Sequence, residues 1–293
     1  MNLRPASILA LVSTLIALTA CSSGGGSGTG GSGSAQSGNV DVGGYELFYQ
    51  CEGEGNPTVV LDAGLGSAGT ADFGDFISEL DGVAARVCTY DRAGTGVSDV
   101  RPRSAGKLTA ALEAEELHSL LVKAGIGPPY VLVPHSYGGL ITRVYADKYP
   151  DEVAGFVFED VSTAWEIDLW PKWDPSPWID GGQKVDIQAT EKEVLSAEPL
   201  GDRPSVVLSQ DTYKGEGIPK WAAPIFAKQQ AKLAKLGDDV VYARADGSGH
   251  FIHEERPELM VDAIGAVVAA VQSNSQLPDC EEVFTESDVT CLT

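Results

Sequence analysis

The protein is 293 residues long and sets 42 Asp and Glu against 20 Lys and Arg, a formal charge of −22. That surplus of acid repels phosphate backbones and argues against nucleic acid as a partner, and it reads as solvated surface rather than as a site. The length suits one large α/β domain with a substantial buried core.

Residues 1–20 begin with a single charge at Arg4 and continue as an apolar run from Ile8 to Ala20. The run is too short to span a bilayer and has the layout of a secretory signal. It ends in Leu18-Thr19-Ala20-Cys21, which resembles the lipobox of bacterial lipoproteins. Cleavage there would leave Cys21 as a lipid-bearing first residue and, by removing Arg4, take the charge from −22 to −23. Residues 21–38 are almost entirely Gly, Ser and Thr after that cysteine, the composition of a flexible tether. The expectation is an exported protein, lipid-anchored to the outer face of the bacterial cell membrane, with its folded domain over residues 39–293.

Within the domain, Tyr45 to Cys51 alternates as a strand does. Continuous apolar runs follow at Thr58–Leu61, Arg86–Tyr90, Tyr130–Val133, Phe156–Phe158, Val206–Leu208 and Val240–Ala243. Such runs mark strands covered on both faces. Helical spacing separates them at 108–123, with Glu113, Glu115 and Glu116 on the polar side, and at 137–148, 221–236 and 257–271. Gly237 and Pro257 stand where helix ends and starts favour them. Strand–helix alternation predicts a mostly parallel twisted sheet with helices on both faces. One segment breaks the rhythm. Residues 161–203 hold Trp165, Trp170, Trp173 and Trp178 among prolines and read as an insertion over the sheet.

Apart from Cys21 the cysteines are Cys51, Cys88, Cys280 and Cys291, the last two in a tail over 274–293. An even number in an exported chain suggests two disulfides, with three pairings open. No Cys/His group has zinc-like spacing, and neither a metal nor another cofactor is implied.

The chemistry gathers at Pro134-His135-Ser136-Tyr137-Gly138-Gly139, between a strand and a helix. A serine hydroxyl is a weak nucleophile unless it is held exposed beside a base. A tight strand-to-helix turn does this and aims backbone N–H groups at a developing oxyanion. Small residues must flank such a turn, and Gly138 and Gly139 supply them; Pro134 stands where a glycine is usual. Asp62-Ala63-Gly64-Leu65-Gly66 closes one earlier strand and Tyr90-Asp91-Arg92-Ala93-Gly94-Thr95-Gly96-Val97-Ser98 the next. Ser248-Gly249-His250-Phe251-Ile252 follows the last strand.

In motifs and in their order, residues 40–273 resemble the α/β-hydrolase superfamily. The resemblance implies Ser136 as nucleophile, His250 as base, and an oxyanion hole from the amides of Tyr137 and Leu65. For the acid it leaves Asp160, after the strand 156–158, and Asp211, after the strand 206–208, with Asp160 preferred. His253 is the fallback base, His135 supports the turn, His118 packs, and Asp91 braces its loop through Arg92 or Ser98. The tryptophan-rich insertion matches the cap many such hydrolases carry, either as an apolar substrate wall or as packing. In the same fold the strand ending at Cys51 lies antiparallel to the strand containing Cys88, which implies Cys51–Cys88 and leaves Cys280–Cys291. The implied reaction is hydrolysis of an ester-like bond in a small apolar substrate by acyl transfer. The alternative is a non-catalytic small-molecule-binding lipoprotein on the same scaffold.

Overall fold

A computed structural model describes residues 35–83, 85–167, 176–212, 220–285 and 288–292. The proposed signal, Cys21, most of the Gly/Ser stretch, Trp170 and Trp173 lie outside the described residues.

The strands are β1 (Gln36–Asp41), β2 (Glu46–Glu52), β3 (Thr58–Asp62), β4 (Arg86–Tyr90), β5 (Tyr130–Pro134), β6 (Val153–Glu159), β7 (Ile179–Asp180), β8 (Gln183–Lys184), β9 (Ser205–Gln210), β10 (Val240–Ala245) and β11 (Val289–Leu292). The helices are α1 (Gly69–Asp72), α2 (Ala110–Ala124), α3 (Gly138–Lys148), α4 (Ile187–Ser196), α5 (Ala223–Ala234), α6 (Ile252–Glu255), α7 (Pro257–Ser273) and α8 (Cys280–Val283). Among the described residues, nine strands form one sheet in the order β1-β2-β4-β3-β5-β6-β9-β10-β11. The run from β4 to β10 is parallel, while β1, β2 and β11 are antiparallel edges. This is the α/β-hydrolase fold.

The period-two rule of strands divides the core into two layers. In β5, Tyr130 and Leu132 face one cluster with α2, α3 and α5, whereas Val131 and Val133 face the other with α7. Both faces are apolar, so the central strands are apolar throughout. Local signals close the helices. The Thr109 hydroxyl accepts from Leu112 N–H at the start of α2, and Gly125 ends it in the left-handed region at φ 71°.

Three expectations need correction. The linker does not run to residue 38, because Gln36–Asp41 pairs with β2 as an edge strand. The C-terminal segment 274–293 is more than a tail: β11 adds to the sheet beside β10, and Cys291 sits opposite Ala243. Nor is the acidic face of α2 all solvated. Glu113 and Glu116 are buried, where Glu116 binds Arg101 at 2.5 Å and Glu113 accepts from the Tyr137 hydroxyl at 2.6 Å.

The structure joins Cys51 to Cys88 and Cys280 to Cys291, with Cα atoms 4.0 and 5.9 Å apart. Cys51 and Cys88 are direct cross-strand partners on β2 and β4.

Candidate active site

Ser136, Asp160 and His250 each follow the C-terminal end of a parallel strand: β5, β6 and β10. In open α/β sheets that edge is where ligands meet the chain. Ser136 has φ 50°, a left-handed conformation that a serine adopts only when its surroundings enforce it. Its N–H donates to Glu159 O at 3.2 Å, and its carbonyl accepts from Ser162 N–H at 2.8 Å. The turn is crowded on both sides. A Cβ on Gly138 would lie 2.6 Å from Asp62 O, and one on Gly139 would lie 2.4 Å from Val161 Cβ. Larger residues after Ser136 would push α3 off the sheet. Pro134 is the last residue of β5 and pairs with Asp62 without disturbing the ladder.

His250 Nδ1 donates to Asp160 Oδ2 at 2.6 Å. A carboxylate only accepts, so Nδ1 carries the proton and Nε2 keeps its lone pair. Asp160 also has a left-handed backbone, φ 38°, and its second oxygen accepts from Gln210 N–H at 3.1 Å. His250 is 27% exposed and Asp160 7%: the acid is covered and the imidazole is reachable. Asp211, the other candidate acid, points elsewhere. It binds Arg244 at 3.1 Å and accepts from Gly247 N–H at 3.1 Å.

Two further histidines stand behind His250. His135 Nε2 donates to His250 O at 3.1 Å, and the two rings lie 4.5 Å apart. Burial, with His250 and His253 nearby, holds His135 well below the usual imidazole range, so it is neutral. His253 is wholly buried and gives both its Nδ1 proton and its backbone N–H to Glu159 Oε1, at 2.7 and 2.8 Å. Burial opposes its charge, but the Glu159 carboxylate outweighs that and raises its pKa. His118 lies on the far end of α2, stacked on Tyr149 and 3.1 Å from Glu152.

Leu65 lies in the loop after β3. A Cβ on Gly64 would be 3.5 Å from Ser136 Cβ, which puts the Gly64–Leu65 peptide against the serine. Tyr137 is the N-cap of α3. Among the described residues neither the Leu65 nor the Tyr137 N–H donates to a protein acceptor.

In the loop after β4 the expected brace at Asp91 runs through Ser98 and not through the Arg92 side chain. Asp91 does brace it, accepting from Thr70 and Val97 N–H at 3.0 Å, while Ser98 Oγ donates to Asp91 O at 2.6 Å. Arg92 joins in through its carbonyl, accepting from the Thr95 N–H and hydroxyl at 2.9 Å, but its side chain does not reach Asp91. Its buried guanidinium binds Asp62 at 2.8 Å, Asp180 at 2.9 Å, Ala63 O at 2.8 Å and Gly64 O. The two carboxylates differ. Burial pushes Asp62 up to about 6 despite Arg92. Burial also pushes Asp180 up, but the Arg92 charge and the Gly66 N–H outweigh it and hold Asp180 below the ordinary range. Asp180 and Glu159 are not singled out by the sequence, and Arg92 is singled out there only as a possible brace for Asp91. A Glu-Asp pair ending one strand, opposite two histidines three residues apart after another, was the available signal for Glu159.

Over the site, the ring of Trp178 meets Tyr137 edge-on at 5.9 Å, and Trp165 is half-buried against the core with Lys232 over its ring at 5.3 Å. Both described cap tryptophans therefore pack.

Residues 57–234 match the family model for the alpha/beta hydrolase fold. The chain belongs to the α/β-hydrolase fold family. It is 29% identical over 221 residues to the uncharacterized protein YqjL of Bacillus subtilis, covering 73% of this chain and 84% of that one. It spans only 20% of a probable transporter from Hormonema carpetanum and 37% of the B. subtilis protein YbdG. Among solved structures, haloalkane dehalogenase DbeA from Bradyrhizobium elkani superposes with a TM-score of 0.61 at 15% identity, covering 83% of this chain and 100% of that one. A thermophilic esterase from Thermogutta terrifontis superposes with a TM-score of 0.57 at 20% identity, covering 80% and 99%. These two likenesses are of fold.

Proposed function

We propose that the protein is a serine hydrolase of ester-like bonds in small apolar substrates: carboxylic esters, with thioesters and amides chemically close. The observation that carries the reading is the His250–Asp160 contact at 2.6 Å, on the same sheet edge as a strained Ser136. With Nδ1 bound to Asp160, Nε2 takes the Ser136 proton as Oγ attacks the carbonyl carbon. The carbonyl oxygen becomes an oxyanion held by the Tyr137 and Leu65 N–H groups. The imidazolium then protonates the leaving alcohol as the carbon–oxygen bond breaks. Water, deprotonated by His250, attacks the acyl-serine, and Ser136 leaves with the proton as the carboxylic acid is released. Asp160 holds the tautomer and balances the imidazolium charge.

A serine at position 136 speaks against dehalogenation despite the likeness to DbeA. Displacement of halide by Ser136 would leave an alkyl ether, which has no carbonyl for water to attack. An aspartate in that place would leave a hydrolysable ester.

From the Leu18-Thr19-Ala20-Cys21 run and the Gly/Ser stretch after it, we further propose a surface lipoprotein anchored through acyl chains on Cys21. Mass spectrometry of the mature N-terminus should find Cys21 first and acylated; cleavage elsewhere with no acyl chain would remove this part.

The catalytic proposal is tested with short p-nitrophenyl esters and a fluorophosphonate probe. Ser136→Ala should fold normally, lose labelling and lose on the order of 10⁴- to 10⁶-fold in kcat. Wild-type protein that neither labels at Ser136 nor turns over any ester would favour the binding-protein alternative.

A further inference from the structure

We propose that Arg92 and the cap residue Asp180 form one positioning clamp that aims the Leu65 N–H, so that the oxyanion site is complete only while the cap hairpin is seated. This rests on the serine-hydrolase reading above.

The argument begins with a peptide plane. The Gly64 carbonyl and the Leu65 N–H belong to one trans unit and point in opposite directions. Whatever holds the oxygen therefore aims the hydrogen. Arg92 Nη2 donates to Gly64 O, and Nη1 donates to Ala63 O at 2.8 Å. A guanidinium on that oxygen also polarises the amide and strengthens its N–H as a donor. The next peptide is pinned as well, since Gly66 N–H donates to Asp180 Oδ1 at 2.7 Å. Asp180 in turn grips Arg92 at Nε and Nη2, at 3.1 and 2.9 Å. Two planar groups in this fork arrangement fix each other's orientation as well as distance. The second oxyanion donor is tied to the same cation: Arg92 Cζ lies 5.5 Å from the centre of the Tyr137 ring.

Asp180 belongs to the β7–β8 hairpin of the cap, 88 residues beyond Arg92. A separate observation shows how closely the hairpin is seated. A Cβ on Gly94 would lie 2.2 Å from Gly181 O, and one on Gly181 would lie 1.7 Å from Ala93 O. Backbone presses on backbone, and both glycines have positive φ, 83° and 51°. No side chain fits at either place. The hairpin and the loop after β4 thus meet in one register, and that register delivers the Asp180 carboxylate to Arg92. Lifting the hairpin would withdraw Asp180 from both Arg92 and Gly66 and so loosen the Leu65 peptide, leaving the Gly64 carbonyl to Ser67 N–H at 3.3 Å and to an Arg92 still bound to Asp62.

A clamp of this kind acts on the transition state more than on bound substrate, because the ester carbonyl carries little charge until Ser136 attacks. The test compares wild type, Asp180→Ala, Asp180→Asn and Arg92→Lys, with Ile179→Ala as a change in the same hairpin that leaves the clamp intact. Asp180→Ala should lower kcat by about 10- to 100-fold with KM within about threefold, a fraction of the loss from removing an oxyanion donor outright. A trifluoromethyl ketone, whose carbonyl oxygen becomes an oxyanion when Ser136 adds to its carbon, should bind more weakly by the same factor. Preference for an ester over its thionoester should shrink, because sulfur accepts hydrogen bonds poorly. Asp180→Asn keeps an acceptor for Gly66 but loses the charge and should fall about 3- to 10-fold; it decides the matter if Asp180→Ala does not fold. Ile179→Ala should stay within threefold of wild type. Folded Asp180 and Arg92 variants that keep wild-type ketone affinity and ester/thionoester ratio would reduce the clamp to a structural tie. Failure of wild type to label at Ser136 would instead remove the catalytic reading beneath it.

Discussion

The His250–Asp160 and His253–Glu159 pairs are built from the same parts, on the same two chain segments, at nearly the same distance: 2.6 and 2.7 Å. Glu159 is the last residue of β6 and Asp160 the first beyond it, where the chain turns left-handed at φ 38° and sends the second carboxylate away from the first. One carboxylate therefore meets the open side of the sheet edge and the other the interior. His250 is 27% exposed and His253 not at all; the ring of His253 lies against Phe73 at 4.7 Å. The comparison teaches that an acid on Nδ1 does not make a catalytic base. It fixes a tautomer wherever it occurs, and the imidazole becomes a base only where Nε2 can reach a substrate proton. In the interior the same contact is a strut, which ties the segment carrying His250 to the end of β6.

The sharpest separation of the two pairs comes from replacing each acid by its amide. Asp160→Asn should lower kcat on a p-nitrophenyl ester by about 10⁴-fold, because the amide stabilises the wrong tautomer and cannot balance the imidazolium. Its stability should change little. Asp211→Asn should stay within about threefold, since Asp211 engages only Arg244 and Gly247 near the surface. The reverse ranking would move the acid to Asp211. Glu159→Gln should do the opposite of Asp160→Asn. Breaking a buried ion pair by removing one charge costs about 3 kcal/mol, so the urea midpoint should drop while kcat of the folded protein stays within about tenfold. A large loss of activity at unchanged stability would make Glu159 part of the reaction.

Much of this architecture was legible in the sequence, and the exceptions have physical causes. The apolar runs of β3 to β6, β9 and β10 stand out because strands covered on both faces need apolar residues at every position. The turn at Ser136 stands out because only glycine fits at positions 138 and 139. The edge strands do not: β1 reads Gln-Ser-Gly-Asn-Val-Asp and is half exposed along its length, so it looks like linker. The buried acids of α2 mislead for a related reason. Glu113 and Glu116 are tolerated inside only because Arg92 and Arg101 arrive from another loop, and no local pattern announces such a partner. Ser98 and Arg92 are equally plausible braces for Asp91 from the sequence, yet the Arg92 guanidinium goes to Asp180, 88 residues away in the cap. Asp160 and Asp211 both follow a strand; the left-handed turn at Asp160 is what carries its carboxylate to His250, and a single sequence does not encode that angle visibly.

The smallest effect, and the one that distinguishes the pairs most directly, is a pH dependence. Glu159 raises the His253 pKa above its ordinary 6.5 against the opposing effect of burial, with Asp72 and Glu254 adding to the pull; His135, the other group facing the ring at 5.3 Å, is neutral. The folded protein therefore holds this proton more tightly than the unfolded chain does. By linkage the pair's contribution is fully present below about pH 6.5, and it is lost as pH rises through the folded pKa. Between those limits unfolding releases up to one proton from His253, so the unfolding free energy should fall by at most about 1.4 kcal/mol per pH unit. The urea midpoint of wild type minus that of Glu159→Gln, measured from pH 6 upward, should decline over this window and then level, because the shifts of His135, Asp62 and Glu113 are common to both proteins. In Glu159→Gln this part of the decline should disappear, because the raised pKa goes with the carboxylate, while the slope from the other shifted groups stays. In Asp160→Asn it should persist, because His253 and Glu159 are untouched. A Glu159→Gln profile parallel to wild type would show that some other group sets the slope, and the buried pair would then carry no proton linkage of its own.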